Sequence, residues 1–250
     1  MTQDRISILM YHQVGDFSPM RAHRSTYCHY KRFQQQMAFL KRFHFRVLSL
    51  DEALSCLYGE RPIPPRAVVL TFDDGYENFY EYAWPVLKQY GFPAMVYLLS
   101  GLLGRPSGWF ARDGRETPPL MGPERILHLR DQGVDFGSHG VSHVKLAEVE
   151  AQTVRREVTQ SKAELEQLLG EAVAHFCYPY GSHDRTAVDA VQAAGYASAV
   201  TCLRGAATPA FDPLLLPRKA ISYGDNLAGY LWKLMMKNEP KQAPLRWRTQ

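Results

Sequence analysis

Five short stretches of the chain hold residue types that can do chemistry together. Asp73 and Asp74 close the apolar run 67–72 and precede Gly75. Two carboxylates at the end of a buried strand are costly unless paired, hydrogen-bonded or bound to a cation. They read either as a helix cap beside an exposed acid, or as a metal ligand beside a general base. Neighbours on a strand end point different ways, so two such residues can divide those roles. His139 and His143 follow the run 134–138. Imidazoles four residues apart can converge on one ion when a turn or helix follows the strand. That spacing is weak alone and informative beside the carboxylates. Two His and one Asp with an open position is the composition of a hydrolytic metal centre, in which the ion brings the pKa of a water towards ~7. A third run ends in Pro179-Tyr180-Gly181, either an ordinary turn or one that aims a backbone N–H at an oxyanion. Arg218, after Leu216-Pro217, offers one guanidinium, to the interior or to the surface. His12 ends the first apolar run, where a lone histidine is ordinarily structural.

The elements that must position these residues alternate between two rhythms. Short apolar runs at 6–11, 46–48, 67–72, 94–99, 134–138, 175–178 and 197–202 read as strands, with 215–221 an optional eighth. Helical periodicity fills 30–43, 51–58, 77–90, 148–169 and 184–194. The second of these helices opens on Asp51, and Gly91, Gly170 and Gly195 stop the last three. This rhythm predicts an α/β fold, either an open doubly wound sheet or a barrel of about seven strands. The barrel is preferred, because Asp73, Asp74, His139 and Tyr180 all fall just after strand C-termini, which a barrel gathers on one face. The long irregular stretch 101–119, rich in Gly, Pro and Arg around Trp109-Phe110, reads as an inserted loop over that face. Trp109, Tyr178 and Tyr180 are candidates to stack on a ring-shaped substrate.

Composition excludes several classes. Of 250 residues 46% are hydrophobic and 22% charged, the balance of a globular protein. A net charge of +4, with its basic residues dispersed, gives no footprint for nucleic acid. No apolar run approaches the ~18 residues of a membrane span. Met1 to Arg5 followed by six apolar residues is no secretory leader, so a cytoplasmic location is expected. Four dispersed cysteines read as reduced thiols rather than a disulfide framework. Residues 231–237, with Lys241, Arg246 and Arg248 beyond, read first as a packed terminal helix with a solvated basic end. The alternative is weak contact with the anionic inner face of a membrane.

Taken in order, TFDDG at 71–75, SHGVSH at 138–143 and FCYPYG at 176–181 resemble the polysaccharide deacetylase family, the NodB-homology or family 4 carbohydrate esterases. The opening ILMYHQV, the segment FYEYAWPVLKQYGFPAMVYLL and the late LPR share the resemblance, which covers about residues 6–222. It implies a distorted (β/α) barrel, with 1–224 the catalytic domain and 225–250 a C-terminal helix and basic tail. It implies that Asp74, His139 and His143 hold a divalent metal, most often zinc. Asp73 would be the general base, and the Tyr180 backbone N–H would help to stabilise the oxyanion. Two departures matter: Cys177 stands where the common pattern has an Arg, and the late Leu-x-His is absent. A circularly permuted branch that includes poly-N-acetylglucosamine deacetylases fills both gaps. Its first strand ends in Met-Tyr-His, as Met10-Tyr11-His12 does here, which would make His12 the general acid, and Arg218 would then orient Asp73. The implied reaction is hydrolysis of an N-acetylated sugar to acetate and a free amine. The alternatives are another amide hydrolase, acting on a formamide or a cyclic amide, and a non-catalytic carbohydrate-binding descendant.

Overall fold

The structure, a computed structural model, describes residues 4–20, 22–59, 61–111 and 114–240. In chain order its elements begin with β1 (Ser7–Tyr11), β2 (Gln13–Gly15), β3 (Tyr27–His29), α1 (Tyr30–Arg42), β4 (Arg46–Val47), α2 (Leu50–Tyr58) and β5 (Ala67–Phe72). They continue with α3 (Trp84–Tyr90), β6 (Met95–Leu98), α4 (Pro123–Asp131), β7 (Asp135–Ser138), α5 (Ala151–Leu169), β8 (His175–Cys177), α6 (Arg185–Ala193), β9 (Ser198–Arg204), β10 (Leu216–Ala220) and α7 (Leu227–Met236).

Seven parallel strands close a barrel in the order β1-β10-β9-β8-β7-β6-β5, and β5 returns to β1 through the pairs Ser7↔Val68 to Tyr11↔Phe72. The distortion lies at β5. Its first residues, Ala67 and Val68, pair with β4, and its last, Thr71 and Phe72, pair with β6. The run at 46–48 therefore holds only a two-residue stub, Arg46–Val47, beside the ring, and the run at 215–221 supplies the strand that closes it. Pro217 obscures that strand in the sequence, since proline cannot donate to a ladder. It lies where the β9–β10 register shifts, between Leu216 and Arg218.

Both faces of the strands are buried, so they read as continuous apolar runs rather than alternating ones. Alternation survives in what each residue touches. Val68, Leu70 and Phe72 of β5 pack outward with the helices, while Ala67 and Val69 pack inward with Met95, Tyr97, Val200 and Leu216. The next inward positions on β5 are Thr71 and then Asp73, so an apolar plug gives way to a polar layer at the C-terminal mouth.

Local chemistry adjusts the helices. α2 is capped by Ser49, not Asp51: the Ser49 hydroxyl accepts from the Glu52 N–H, and Glu52 accepts from the Ser49 N–H, a capping box. The helix read at 77–90 begins as a π-type turn over Phe79–Ala83. Pro85 cannot donate the α-helical bond to the residue four before it, and the wider turn accommodates that gap. α4 was not read from the sequence, although Pro123 sits in its first turn after Gly122. α7 packs Tyr230 and Leu234 against the core and exposes Trp232, Met235 and Met236. Lys241, Arg246 and Arg248 lie outside the described residues.

Candidate active site

β5 ends by donating the Asp73 N–H to the Tyr11 carbonyl, 3.0 Å, and then turns sharply. Asp74 and Gly75 both take left-handed conformations, φ 73° and 71°. A Cβ on Gly75 would lie 2.7 Å from the Leu98 side chain, so glycine alone fits there. The turn sends the two aspartates to different partners.

Asp74 faces the histidines. Its Oδ1 lies 3.3 Å from Nε2 of both His139 and His143 and accepts no hydrogen bond among the described residues. His139 hydrogen-bonds through Nδ1 to the Cys177 carbonyl at 2.7 Å, which makes Nδ1 the protonated nitrogen and leaves Nε2 to bind. Two ligands ~2.0–2.1 Å from a tetrahedral ion stand about 3.3 Å apart. The three buried donor atoms thus fit a divalent cation. Burial pushes the His143 pKa down to about 4, so its ring is neutral, as a ligand must be. In His139 the same burial is outweighed by Cys177 and Asp74, and its pKa lies above the ordinary value.

Asp73 faces the barrel axis. Arg218, itself buried, grips it with two parallel bonds, Nη1 to Oδ1 at 2.6 Å and Nη2 to Oδ2 at 2.7 Å. The guanidinium is fixed in turn by the Thr201 carbonyl, the Thr71 hydroxyl and the Cys177 sulfur, at 2.9, 3.1 and 3.2 Å. Burial acts to raise the Asp73 pKa, and Arg218 overrides it, holding the carboxyl below the usual range and ionised. Asp73, His139 and Cys177 also converge closely enough to hold an ion. With both Asp73 oxygens taken by Arg218, the Asp74 set is the available one. Nε2 of His12 stands 3.8 Å from Asp73 Oδ2.

Tyr180 has φ 58°, a left-handed conformation unusual for a bulky residue, and its half-exposed ring lies 4.4 Å from that of His143. Trp109 covers another side of His143, with centroids 4.3 Å apart, and donates through Nε1 to the Tyr76 hydroxyl at 3.1 Å. The inserted loop at 101–119 does reach the site. Tyr178 cannot stack on a substrate: it is fully buried and packs outward with Phe176.

One residue absent from the sequence reading organises the histidine loop. Glu157 of α5, 1% exposed, accepts from the N–H groups of Val141 and Ser142 at 2.8 and 2.9 Å and from the Ser142 hydroxyl at 2.6 Å. It thereby fixes the tripeptide between His139 and His143, the latter strained at φ 61°. Its signal was a carboxylate on the apolar stripe of α5, between Val154 and Val158.

Residues 60–199 match the polysaccharide deacetylase family. The chain belongs to that family. As a polysaccharide deacetylase it is a hydrolase, and its Asp/His cluster suits the metal dependence of the class. YxkH of Bacillus subtilis (strain 168) is 26% identical over 220 residues, 88% of this chain and 72% of its own length. The poly-beta-1,6-N-acetyl-D-glucosamine N-deacetylase of Staphylococcus aureus (strain N315) is 24% identical over 200 residues, 76% of this chain. The chain spans 66% of that protein's length. Among solved structures, Streptococcus pyogenes deacetylase PplD in complex with acetate superposes with TM-score 0.80 at 26% identity, covering 92% of this chain and 98% of its own. IcaB from Ammonifex degensii has the same fold, with TM-score 0.77 at 24% identity and coverages of 93% and 98%.

Proposed function

We propose that the protein hydrolyses the N-acetyl group of an N-acetylglucosamine-type sugar, releasing acetate and leaving a free amine. The observation that carries this reading is the division of labour at the barrel mouth. One aspartate faces two imidazoles, and its neighbour is clamped by a buried arginine within 4 Å of a third. The similarity to a staphylococcal poly-N-acetylglucosamine deacetylase supports the sugar class.

An amide is a poor electrophile and an amine a poor leaving group, so the reaction needs an activated water, a base and an acid. Asp74, His139 and His143 would hold a divalent ion, most often zinc, which when bound polarises the carbonyl and acidifies a water. Asp73 accepts the proton of the attacking water as the new C–O bond forms. Arg218 keeps that carboxylate ionised and aimed. The Tyr180 backbone N–H donates to the developing oxyanion. His12 gives its proton to the nitrogen as the C–N bond breaks. Trp109 and the Tyr180 ring form the wall on which a sugar rests.

The test is acetate release from N-acetylglucosamine oligomers by chelated protein. Release is expected to be lost on chelation and restored by zinc. No release with zinc demonstrably bound would reject these oligomers as substrate, and a formamide or cyclic amide would be tried next. Failure to bind zinc would remove the metal reading and favour a carbohydrate-binding role. His12→Ala is expected to lower kcat about 10²-fold with zinc affinity unchanged, the scale of a lost general acid. Unchanged acetate release in that variant would place the acid elsewhere.

Location follows the same reading. Among the described residues no helix is long and apolar enough to cross a membrane, and all four cysteines are free, with Cys202 exposed. An exposed free thiol suits a reducing compartment, and we place the reaction in the cytoplasm. Exposed Trp232, Met235 and Met236, with Lys237 just beyond, support weak contact of α7 with an anionic bilayer. Co-sedimentation with anionic vesicles at low salt, reversed by high salt, is expected; protein left wholly in the supernatant would end the idea.

A further inference from the structure

Between Leu216↔Val200 and Arg218↔Arg204, β9 advances two residues more than β10, an irregularity in the ladder. α7 lies beside this irregularity. The result is a cavity of about 150 Å³ walled by Cys202, Arg204, Arg218, Lys219, Lys233 and Lys237, with Ala220 and Ser222 between them. Five of these eight are cationic, and no carboxylate lines the space. Two of the charges are already met, Arg218 by Asp73 and Lys233 by Asp225, each at 2.6 Å. Two others are not. Lys219 is 1% exposed and donates only to neutral oxygens, Ser7 Oγ at 2.9 Å and the Leu234 carbonyl and Asn238 Oδ1 at 2.8 Å. Arg204 forms no ion pair among the described residues, and its Nε is buried without a hydrogen-bond partner.

Cations gathered without counter-charge in a half-buried space destabilise the fold unless an anion enters. The hydrolytic mechanism uses neither Lys219 nor Arg204. Yet the cavity adjoins the site: Arg218 belongs to both, and Cys202 packs against Gly181, next to Tyr180, and lies 4.0 Å from the Met10 sulfur.

We propose that this cavity binds a phosphoryl group, and that the sugar deacetylated here is carried on a phosphate or diphosphate. Arg204, with its Nε unpaired, offers the donor, and Lys219, whose three protons are already given to neutral oxygens, adds positive charge alone; together they suit a phosphate dianion better than a single carboxylate. The substrate half of this inference rests on the deacetylase reading; the binding half does not.

The binding half is tested without turnover. Cys202 is the one exposed cysteine of the four, so alkylation of the metal-loaded protein by N-ethylmaleimide reports on the cavity. Inorganic phosphate is expected to slow that alkylation at least about fivefold relative to chloride of equal ionic strength. Arg204→Gln should raise the half-protecting concentration about tenfold, the scale of one charge-assisted hydrogen bond. No protection beyond chloride would overturn the proposal. So would equal protection in both proteins, which would put the phosphate at the metal centre instead.

The carrier is identified by comparing acetate release from three substrates: a nucleoside-diphosphate-linked N-acetylglucosamine, a polyprenyl-diphosphate-linked one in detergent, and a neutral oligomer. KM is expected to be at least about tenfold lower for one phosphorylated form, with the advantage lost in Arg204→Gln while kcat holds. Whichever form shows it names the source. Equal KM for the neutral oligomer overturns the substrate half even if phosphate binds. Absence of turnover on all three, with Cys202 still protected, would indict the deacetylase reading rather than the cavity.

Discussion

Asp73→Asn is expected to lower kcat for acetate release about 10³-fold while leaving zinc stoichiometry intact, the middle of the range for loss of a general base. The two halves of that outcome come from the turn at Asp74 and Gly75. Asp74 looks towards His139 and His143, so its neighbour can change without touching the ligand atoms. Among the described residues Asp73 hydrogen-bonds through Arg218 and the backbone ladder, with His12 Nε2 3.8 Å away. An amide in its place keeps one acceptor oxygen and cannot take a proton from water.

The same substitution strips a buried guanidinium of its counter-charge, which costs about 3–5 kcal/mol when one partner of a buried pair is removed. Lower rate and lower stability are therefore expected together, and a second variant separates them. Asp73→Asn combined with Arg218→Met removes both charges from the interior, and should recover a large part of the lost stability in a denaturant titration. It should recover none of the rate. A double variant that regained both would mean that Asp73 serves folding alone. Near-normal kcat in Asp73→Asn itself would remove it from the chemistry.

The fold was legible because a parallel barrel puts every strand's C-terminal end at one mouth, so chemistry can be sought just after each apolar run. The roles given to Asp73 and His12 come from the family resemblance, whereas that rule brings Asp73, Asp74, His139 and the Pro-Tyr-Gly turn to a common place. What it cannot give is direction. Tyr178 fails as a sugar platform because side chains alternate along β8 and its extension. Cys177 faces the axis, while Phe176 and Tyr178 face the helices. The period of two was readable, but burial on both faces hides it in composition.

The strand at 215–221 that closes the ring read only as an optional one, on similar grounds. Pro217 argues against a central strand, and only the register shift beside it lets the ladder tolerate a residue with no N–H. The basic cavity at that shift was illegible for the same cause. Arg204, Lys219 and Lys233 are dispersed in sequence and meet only where the β9–β10 register shifts beside α7.

Glu157 is the residue whose removal should most weaken the metal centre without removing a ligand. Nothing in the composition of α5 demands a carboxylate there. Val154, Val158, Leu165 and Leu169 make the buried stripe, and Glu157 interrupts it at 1% exposure. Its three acceptor contacts bind two backbone N–H groups and one hydroxyl of the segment that joins the two histidines. Such outer partners of a metal site are typically worth ~10–100-fold in affinity. Glu157→Ala also leaves those donors without their acceptor, at about 1–3 kcal/mol for each one that water cannot reach. A zinc affinity lowered about 10²-fold is therefore expected, read by competition with a chromophoric chelator. Glu157→Gln keeps one acceptor but turns an NH₂ towards the remaining donors, and should fall between. At saturating zinc both variants should approach wild-type kcat, since neither touches Asp73 or His12. Zinc affinity unchanged in Glu157→Ala would show that the loop holds its own shape. A kcat still depressed at saturating zinc would show that the loop aims His139 and His143 for the reaction itself and not only for the ion.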